Sequence, residues 1–295
     1  QTFLTVCQTM SYTAAAKKLH ITQPAVSQHI AFLEKEYEVK LFRYHKRRLE
    51  LTKAGYVLRD TLSTRAHDDL LLHRKVKALC SDTRQDLKMG MTLTAGKYIA
   101  ARPLAIYLSE HPEVRATIRS GDTATLLSLL DTGVIDCAFV EGMFNSNSYA
   151  CDSFRTERLV CACAPDHILG GHRAVMEDLL GLQLFVREEG SGTRAVLEHA
   201  LAERNLSLDA FAEVSEVGSL DIIKVLVAEG LGISFLYEAA IQREVAENTL
   251  GIIPLKGRPI EHDISFIRLK DSAFEHEFAD LFNALSDAGS ATAPE

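Results

Sequence analysis

Apolar residues recur at helical spacing three times within the first 33 residues of the chain. They are, in order, Phe3, Val6, Cys7 and Met10; then Ala15, Ala16 and Leu19; and then Val26, Ile30 and Leu33. This spacing predicts three short amphipathic helices whose apolar faces meet in one small core. Thr22 stands where the N-cap of the third helix belongs, and Pro24 lies in its first turn, where a missing N–H is harmless.

A short turn separates the second predicted helix from the third. His20 and Ile21 leave space only for a tight connection, so the pattern predicts a helix-turn-helix. The third helix then turns Gln23, Ser27 and Gln28 away from the core, and side chains of this type read base edges in a major groove. A helical hairpin with a polar, solvated face is the alternative that the pattern alone leaves open.

A basic segment follows the third helix. Apolar positions at 39–42 and 49–52 flank residues 43–48, which predicts two short strands around a charged tip, the form of a wing. The basic side chains of this wing are Arg43, Lys46, Arg47 and Arg48. We expect them to contact phosphates or to reach into a minor groove. A charged hairpin that is merely solvated is the alternative.

Residues 14–42 resemble the N-terminal signature of the LysR-type transcriptional regulators. The shared positions are Ala15-Ala16, Leu19, Thr22-Gln23-Pro24-Ala25-Val26-Ser27, Leu33-Glu34 and Leu41-Phe42. The resemblance implies a DNA-binding surface made of Thr22, Gln23, Pro24, Ser27 and Gln28 together with the wing. In this surface Gln23, Ser27 and Gln28 read bases, while Thr22 and the wing hold phosphates.

Two kinds of departure from the family pattern bear on DNA contacts. Tyr44 stands where the family usually has Arg, and Glu38 stands where it favours Gly. The basic residues that the family places near Ala31 and Phe32 are also missing. We therefore expect the phosphate contacts to depend more on the wing and less on the third helix.

The spacing of apolar residues in 55–80 predicts one long linker helix with an apolar stripe. The stripe consists of Leu58, Leu62, Ala66, Leu70, Val76 and Leu79. The resemblance implies that this helix pairs antiparallel with a second copy, giving a homodimer or a homotetramer formed as a dimer of dimers. The alternative is that it packs against the body of its own chain. Polar residues 81–86 follow as a hinge.

From residue 87 onward, strand-like and helix-like patterns alternate, which predicts parallel α/β units. The fold class expected for the whole chain is α/β with an N-terminal all-α winged helix-turn-helix at 1–54, the linker helix at 55–80 and an effector domain at 87–285. We expect that domain to have the two-lobed architecture of periplasmic binding proteins. The first lobe takes 87–140 and 261–285, and the second takes 158–259. Residues 141–153 are expected to form a loop, and 286–295 a loose tail.

Hydroxyl-bearing residues follow several of the predicted strands and begin the next helices. Ligands bind at such corners in open α/β sheets. The candidate effector residues are Thr92, Thr94, Glu141, Ser191, Thr193, Gly218 and Ser219. We expect them to converge on a small anionic metabolite, the alternative being that each hydroxyl only caps its own helix. Glu141, Glu188 and Glu189 either repel an anion or hold a cation.

The charge distribution supports a division of labour along the chain. Residues 1–80 hold 14 basic and 7 acidic side chains, whereas the other 215 residues hold 18 basic and 33 acidic ones. A basic head on an acidic body favours contact with DNA by the head alone. The scattered cysteines and the absence of a signal peptide or an apolar run of membrane-spanning length predict a cytoplasmic protein.

The expected partners are double-stranded promoter DNA, a small-molecule effector and RNA polymerase. We expect no cofactor, no metal site and no catalytic residues, because no motif with the required spacing occurs. A cytosolic solute-binding protein or enzyme with a helical appendage is the competing interpretation. Neither alternative needs the basic head with its Thr-Gln-Pro-Ala-Val-Ser segment.

Overall fold

The N-terminal domain is a small helical unit with its own core. The structure, a computed structural model, describes residues 1–46, 48–81, 84–144 and 148–290. The first helices are α1 (Thr2–Thr9), α2 (Tyr12–Leu19) and α3 (Gln23–Glu36). The hydroxyls of Ser11 and Thr22 accept hydrogen bonds from the N–H groups of Ala14 and Ala25, so both are N-caps. The buried side chains of this core include Phe3, Val6, Ala15, Ala16, Val26 and Ile30.

The wing is a two-stranded hairpin with a shorter tip than the sequence suggested. Strands β1 (Phe42–His45) and β2 (Arg48–Leu51) pair antiparallel, so Arg43 and Arg48 lie in strands. The described part of the tip is Lys46, and Arg47 lies outside the described residues. The strands extend into the basic run because the side chains of Arg43 and Arg48 are exposed to solvent while Leu49 and Leu51 are buried.

The linker helix α4 (Lys53–Ser81) presents two different faces. One face packs on the body of the same chain, where His67 and Leu71 are buried and the Thr64 hydroxyl donates to the carbonyl of Lys270 at 3.0 Å. On the side turned away from His67 and Leu71, the apolar side chains of Leu72, Val76 and Leu79 are exposed. Helix α4 thus contacts its own body, as one of the two expectations held, and still carries an unburied apolar surface.

The effector domain is built on one nine-stranded sheet. Its strands are β3 (Gln85–Met91), β4 (Val114–Ser120), β5 (Cys137–Val140), β6 (Tyr149–Cys163), β7 (Gln183–Val186), β8 (Glu213–Glu216), β9 (Ile233–Tyr237), β10 (Gly251–Ile253) and β11 (Ile260–Leu269). The order is β4-β3-β5-β11-β6-β9-β7-β8, and β10 pairs with β6. The helices are α5 (Ala101–Glu110), α6 (Thr123–Asp131), α7 (Gly192–Ala202), α8 (Leu220–Ala228), α9 (Glu238–Ala246) and α10 (Glu275–Ser290).

The sheet divides into the two predicted lobes. Strands β3, β4 and β5 are parallel and form the first lobe, and β7, β8 and β9 are parallel and form the second. The long strands β6 and β11 run antiparallel to each other through the middle and join the lobes. Strand β11 also pairs with β5, so the late strand returns to the first lobe as the sequence predicted. The two-lobed expectation is confirmed.

Three boundaries differ from those expected. Residues 149–153, predicted as part of a loop, are the first residues of β6, because they pair with the end of β11; residues 145–147 lie outside the described residues. Helix α10 continues through residues 286–290 of the expected tail, and Leu285 and Ala288 on it are buried. The expected hinge is shorter, because β3 already begins at Gln85.

Candidate DNA-binding surface and effector site

Helix α3 separates its apolar and polar residues cleanly. Val26 and Ile30 are buried beneath it, while Gln23 and Gln28 are exposed and Ser27 is half-buried. The Gln23 side-chain amide donates to the Ser27 hydroxyl at 2.9 Å. Thr22 and Pro24 are also exposed, at the start of the helix. The five residues proposed from the sequence therefore lie at one end of a single helix, on its solvent side.

Glu34 fixes the wing relative to α3. Its carboxylate accepts hydrogen bonds from the backbone N–H groups of Leu41, at 2.9 Å, and Phe42, at 3.4 Å, and from the Lys40 ammonium at 2.6 Å. Burial by itself would raise the pKa of Glu34, but these hydrogen bonds outweigh it and lower the pKa. The charged carboxylate therefore holds the beginning of the wing against the helix.

The basic side chains of the wing that the structure describes are open to solvent. Arg43, Lys46 and Arg48 are all exposed. Arg43 lies 3.3 Å from the carboxylate of Glu50, its partner across the hairpin, and exposed pairs of this kind are weak. These three cations are thus available to a polyanion beside α3.

A small cavity lies between the two lobes, and three of the predicted effector residues line it. Its volume is about 20 Å³, which is space for about one water molecule. The lining residues are Thr92, Leu93, Gly121, Asp122, Glu141, Arg187, Glu188, Ser191 and Gly192. A second cavity, of about 290 Å³, shares Glu141, Ser191 and Gly192 with the first and lies against α6 and α7.

Glu141 is the most deeply buried charged group of this site, with 2% of its surface exposed. One carboxylate oxygen, Oε1, accepts a hydrogen bond from the Thr193 hydroxyl at 3.0 Å, across the lobes. The other oxygen, Oε2, is buried without a hydrogen-bond partner, and so are the hydroxyls of Thr92 and Thr94. Buried polar atoms that lack partners are rare, so this group of atoms is suited to receive a ligand.

The environment of Glu141 shifts its protonation into the neutral range. Burial raises the pKa of Glu141 to about 7, and the Thr193 hydrogen bond and the Arg187 guanidinium only partly offset this rise. The nearby Thr94 hydroxyl also lowers this pKa, although no hydrogen bond of ordinary length joins the two groups. The carboxyl group therefore gains or loses a proton in response to small changes around it.

Two charged residues in the cavity wall, Arg187 and Asp122, were not anticipated from the sequence. Arg187 directly follows β7, and its guanidinium makes two hydrogen bonds of 2.7 Å to the carboxylate of Glu188. Asp122 follows β4 and caps α6 by accepting from the Thr125 N–H at 2.6 Å. Both stand at the carboxyl end of a strand, so the rule that indicated Thr92 and Ser191 would have included them.

Four predicted effector residues do not line the small cavity. Thr193 and Thr94 lie beside Glu141, whereas Gly218 and Ser219 are not in contact with it. Ser219 accepts a hydrogen bond from the Ile222 N–H at 3.4 Å and so caps α8, and Gly218 beside it is exposed. Neither residue lines either cavity. The capping role that the sequence left open accounts for Ser219, since its hydroxyl is occupied by the helix.

Close contacts hold the lobes together around the cavity. The Lys97 ammonium on the first lobe lies 2.9 Å from the carboxylate of Asp221 on the second. The backbones of Gly142 and Gly192 touch so closely that a Cβ on Gly142 would lie 2.6 Å from the Cα of Gly192. The structure thus shows a closed arrangement of the lobes, with the cavity between them.

We predict that replacing Glu141 with glutamine changes how stability depends on pH. A carboxyl with a pKa of about 7 in the folded state and an ordinary pKa near 4.5 when unfolded binds more protons when folded, so wild-type stability falls as pH rises through this window. The loss is on the order of 3 kcal/mol. Urea unfolding at pH 5 and pH 8 measures it, and Glu141→Gln should abolish most of the difference.

Glu177, an exposed carboxylate in the second lobe, supplies the control for this experiment. Glu177→Gln should keep the wild-type pH profile. Equal profiles for all three proteins would contradict the raised pKa of Glu141.

The described part of the chain shows neither a metal cluster nor a membrane-spanning helix. Across residues 1–46, 48–81, 84–144 and 148–290, no three His, Cys, Asp or Glu side chains are grouped to hold a metal ion. None of the helices within those ranges combines the length and the hydrophobicity required to cross a membrane.

A helix-turn-helix with a polar outer face, joined by one long helix to a two-lobed domain with a cavity between the lobes, defines a DNA-binding regulator controlled by a ligand. Comparison with protein families agrees. Residues 1–56 match the bacterial regulatory helix-turn-helix protein of the lysR family, and residues 81–290 match the LysR substrate binding domain. The chain belongs to the LysR family, so it is a transcriptional regulator that binds DNA and responds to a small-molecule effector.

Individual relatives support the same conclusion. The regulator CfxR of Cupriavidus necator is 32% identical over 264 residues, which cover 88% of this chain and 81% of that protein. The regulator CysL of Bacillus subtilis is 28% identical over 272 residues, covering 90% and 89%. An H2O2-bound mutant of Corynebacterium glutamicum OxyR shares the fold with a TM-score of 0.64, 25% identity and coverage of 98% and 91%. The resemblance noted in the sequence is confirmed.

Proposed function

We propose that α3 enters the major groove of promoter DNA and that the wing grips the adjacent backbone. The observation that carries this proposal is the division of α3 into a buried side and a polar side that ends in Gln23, Ser27 and Gln28. Amide and hydroxyl groups at this end of a recognition helix read base edges. Arg43, Lys46, Arg47 and Arg48 supply the phosphate contacts, and Thr22 and Pro24 lie near the backbone.

The exposed apolar face of α4 is the surface through which two copies pair in this proposal. Leu72, Val76 and Leu79 lie on it, and an apolar stripe of this kind needs a partner. Two such dimers, joined as a tetramer, bind the two halves of an interrupted palindrome in the cytoplasm. The effector, bound between the lobes, favours one arrangement of the dimers over another and thereby controls contact with RNA polymerase.

Two substitutions separate base reading from backbone binding. We predict that Gln28→Ala weakens binding to the preferred site by about 5- to 150-fold, which corresponds to 1–3 kcal/mol, while binding to random DNA hardly changes. Arg48→Ala should weaken binding to both DNAs alike and reduce the salt dependence by about one counterion. Gel shifts at graded salt, with DNA upstream of the protein's own gene and with random competitor, measure both effects.

The control is Arg115→Ala, which removes an exposed arginine from β4 in the first lobe. It should leave affinity and salt dependence unchanged. If Gln28→Ala lowered the affinity for preferred and random DNA equally, the role of α3 as the reading helix would be refuted.

A further inference from the structure

The cavity between the lobes is lined by more acidic side chains than we expect for a site that binds an anion. Three carboxyl groups, those of Asp122, Glu141 and Glu188, line it beside one guanidinium, that of Arg187. Arg187 is already bound by both oxygens of Glu188, so its charge is largely committed. An anion placed here would face Asp122 and Glu141 without a free cation to balance it.

The unpartnered atoms in this region call for a ligand that donates hydrogen bonds. When Glu141 is ionised, its Oε2 only accepts hydrogen bonds, and the hydroxyls of Thr92 and Thr94 can also accept. All three atoms are buried, on residues that are at most 4% exposed. Of the three residues, Thr92 and Glu141 line the cavity, whose volume of about 20 Å³ has space for a single ammonium group. Such a group, with several N–H donors and a positive charge, satisfies both.

We propose that the effector of this regulator is a small primary amine whose ammonium group is bound by Oε2 of Glu141 and the hydroxyl of Thr92. The proposal rests on the effector role assigned above to the space between the lobes. It replaces the anionic metabolite expected from the sequence, because the sequence did not reveal that Arg187 is paired within the cavity wall.

The neighbouring cavity of about 290 Å³ has space for the carbon skeleton of such an amine. Its lining shares Glu141 with the small cavity and includes the apolar side chains of Leu127, Met143 and Phe144. A short hydrocarbon chain attached to the ammonium group would bury apolar surface there. The effector class is thus an amine of a few carbon atoms.

Matched pairs of ligands test the charge directly. Calorimetry on the full chain compares methylammonium with acetate and propylammonium with propionate, all as sodium or chloride salts, and uses potassium chloride as a cation without N–H donors. We expect the amines to bind and the carboxylates and potassium not to bind. Glu141→Gln should reduce amine affinity at least tenfold, while Glu177→Gln should leave it within twofold of wild type.

Proton release on amine binding provides a second test, because a change in protein stability alone would not alter it. The groups whose charges act on Glu141 are Arg187 and Glu188. The Tyr237 hydroxyl is also near, since burial and, to a smaller extent, the Glu141 charge raise its pKa. An ammonium group bound to Glu141 favours the ionised carboxyl, so binding near pH 7 should release protons and strengthen as pH rises from 6 to 8. Titrations in two buffers of different ionisation enthalpy measure the protons.

The outcomes separate this inference from the proposed function. Carboxylates that bind with proton uptake, or amines that bind Glu141→Gln as tightly as wild type, would overturn the amine assignment. So would the absence of amine binding in a protein that still recognises its promoter, since DNA binding is measured without any ligand. A protein that bound neither amines nor promoter DNA would instead contradict the function itself.

Discussion

Replacing Asp136 with alanine is expected to weaken the attachment of the linker helix to the first lobe by about 3–5 kcal/mol. This is the free-energy cost of removing one partner of a buried ion pair. The Asp136 carboxylate accepts hydrogen bonds from Nε2 of His67, at 3.0 Å, from the guanidinium of Arg74 and from the backbone N–H of Lys88, at 3.2 Å. Only 3% of its side chain is exposed. One carboxylate thus joins α4 to the sheet.

The protonation of Asp136 agrees with this role. Burial would raise the pKa of Asp136, but the hydrogen bonds from His67 and Arg74 outweigh burial and lower the pKa, so the group stays charged at neutral pH. Asp136 also directly precedes β5, and Glu141 directly follows it. The Glu141 carboxyl and the anchor of the linker helix therefore lie at opposite ends of one buried strand.

Hydrogen exchange of the backbone amides of α4 measures this effect better than global unfolding, because a chain with several domains does not unfold in one step. In Asp136→Ala the amides of residues 64–74 should exchange roughly a hundredfold faster or more, as 3 kcal/mol implies. Asp69→Ala, which removes an exposed aspartate from the same helix, is the control and should change little. Equal protection in the two variants would argue against Asp136 as the anchor.

The N-terminal domain was predictable because its signals are local. The period of the apolar residues, the N-cap Thr22 and the basic run of the wing all act within a few residues of the structure they specify. The first residues of β6 had no such signal. Asp152 and Ser153 belong to a strand only because β11, far along the chain, pairs with them.

The site was predictable in position but not in character. The rule that ligands bind at the carboxyl ends of strands indicated Thr92, Glu141 and Ser191, all of which line the cavity. Whether Arg187 faces a ligand or a neighbouring carboxylate depends on its side-chain packing, which no spacing in the sequence reveals. The sign of charge that the cavity prefers therefore emerged only from the hydrogen bonds between Arg187 and Glu188.

The linker helix illustrates the same limit. The apolar stripe of this helix could be recognised in the sequence. His67 and Arg74, by contrast, have the residue types and positions of ordinary surface residues on an amphipathic helix. Their partner Asp136 precedes a strand in another domain, and it converts one polar side of α4 into a buried interface. Pairs of opposite charge that are distant in sequence leave no periodic trace, so contacts of this kind required the structure.

Replacing Gly192 with alanine should have the second large effect, by preventing closure of the lobes. A Cβ at Gly192 would lie 2.5 Å from both the carbonyl oxygen and Cγ of Glu141, and backbone and buried side chain offer no space to yield. Overpacking of this kind costs about 1–3 kcal/mol. Because only the closed arrangement suffers the clash, its population relative to the open one should fall by about 5- to 150-fold.

The ion pair between Lys97 and Asp221 reports closure without a label. Its atoms are 2.9 Å apart, on different lobes and partly exposed, so a carbodiimide can join them directly when the lobes are closed. We expect mass spectrometry to find this cross-link in wild type and severalfold less of it in Gly192→Ala. Gly181→Ala, where an added Cβ meets nothing within 4 Å, should cross-link like wild type. Undiminished cross-linking in Gly192→Ala would mean that the lobes tolerate the extra methyl group, and that closure does not depend on the bare backbone contact between Gly142 and Gly192.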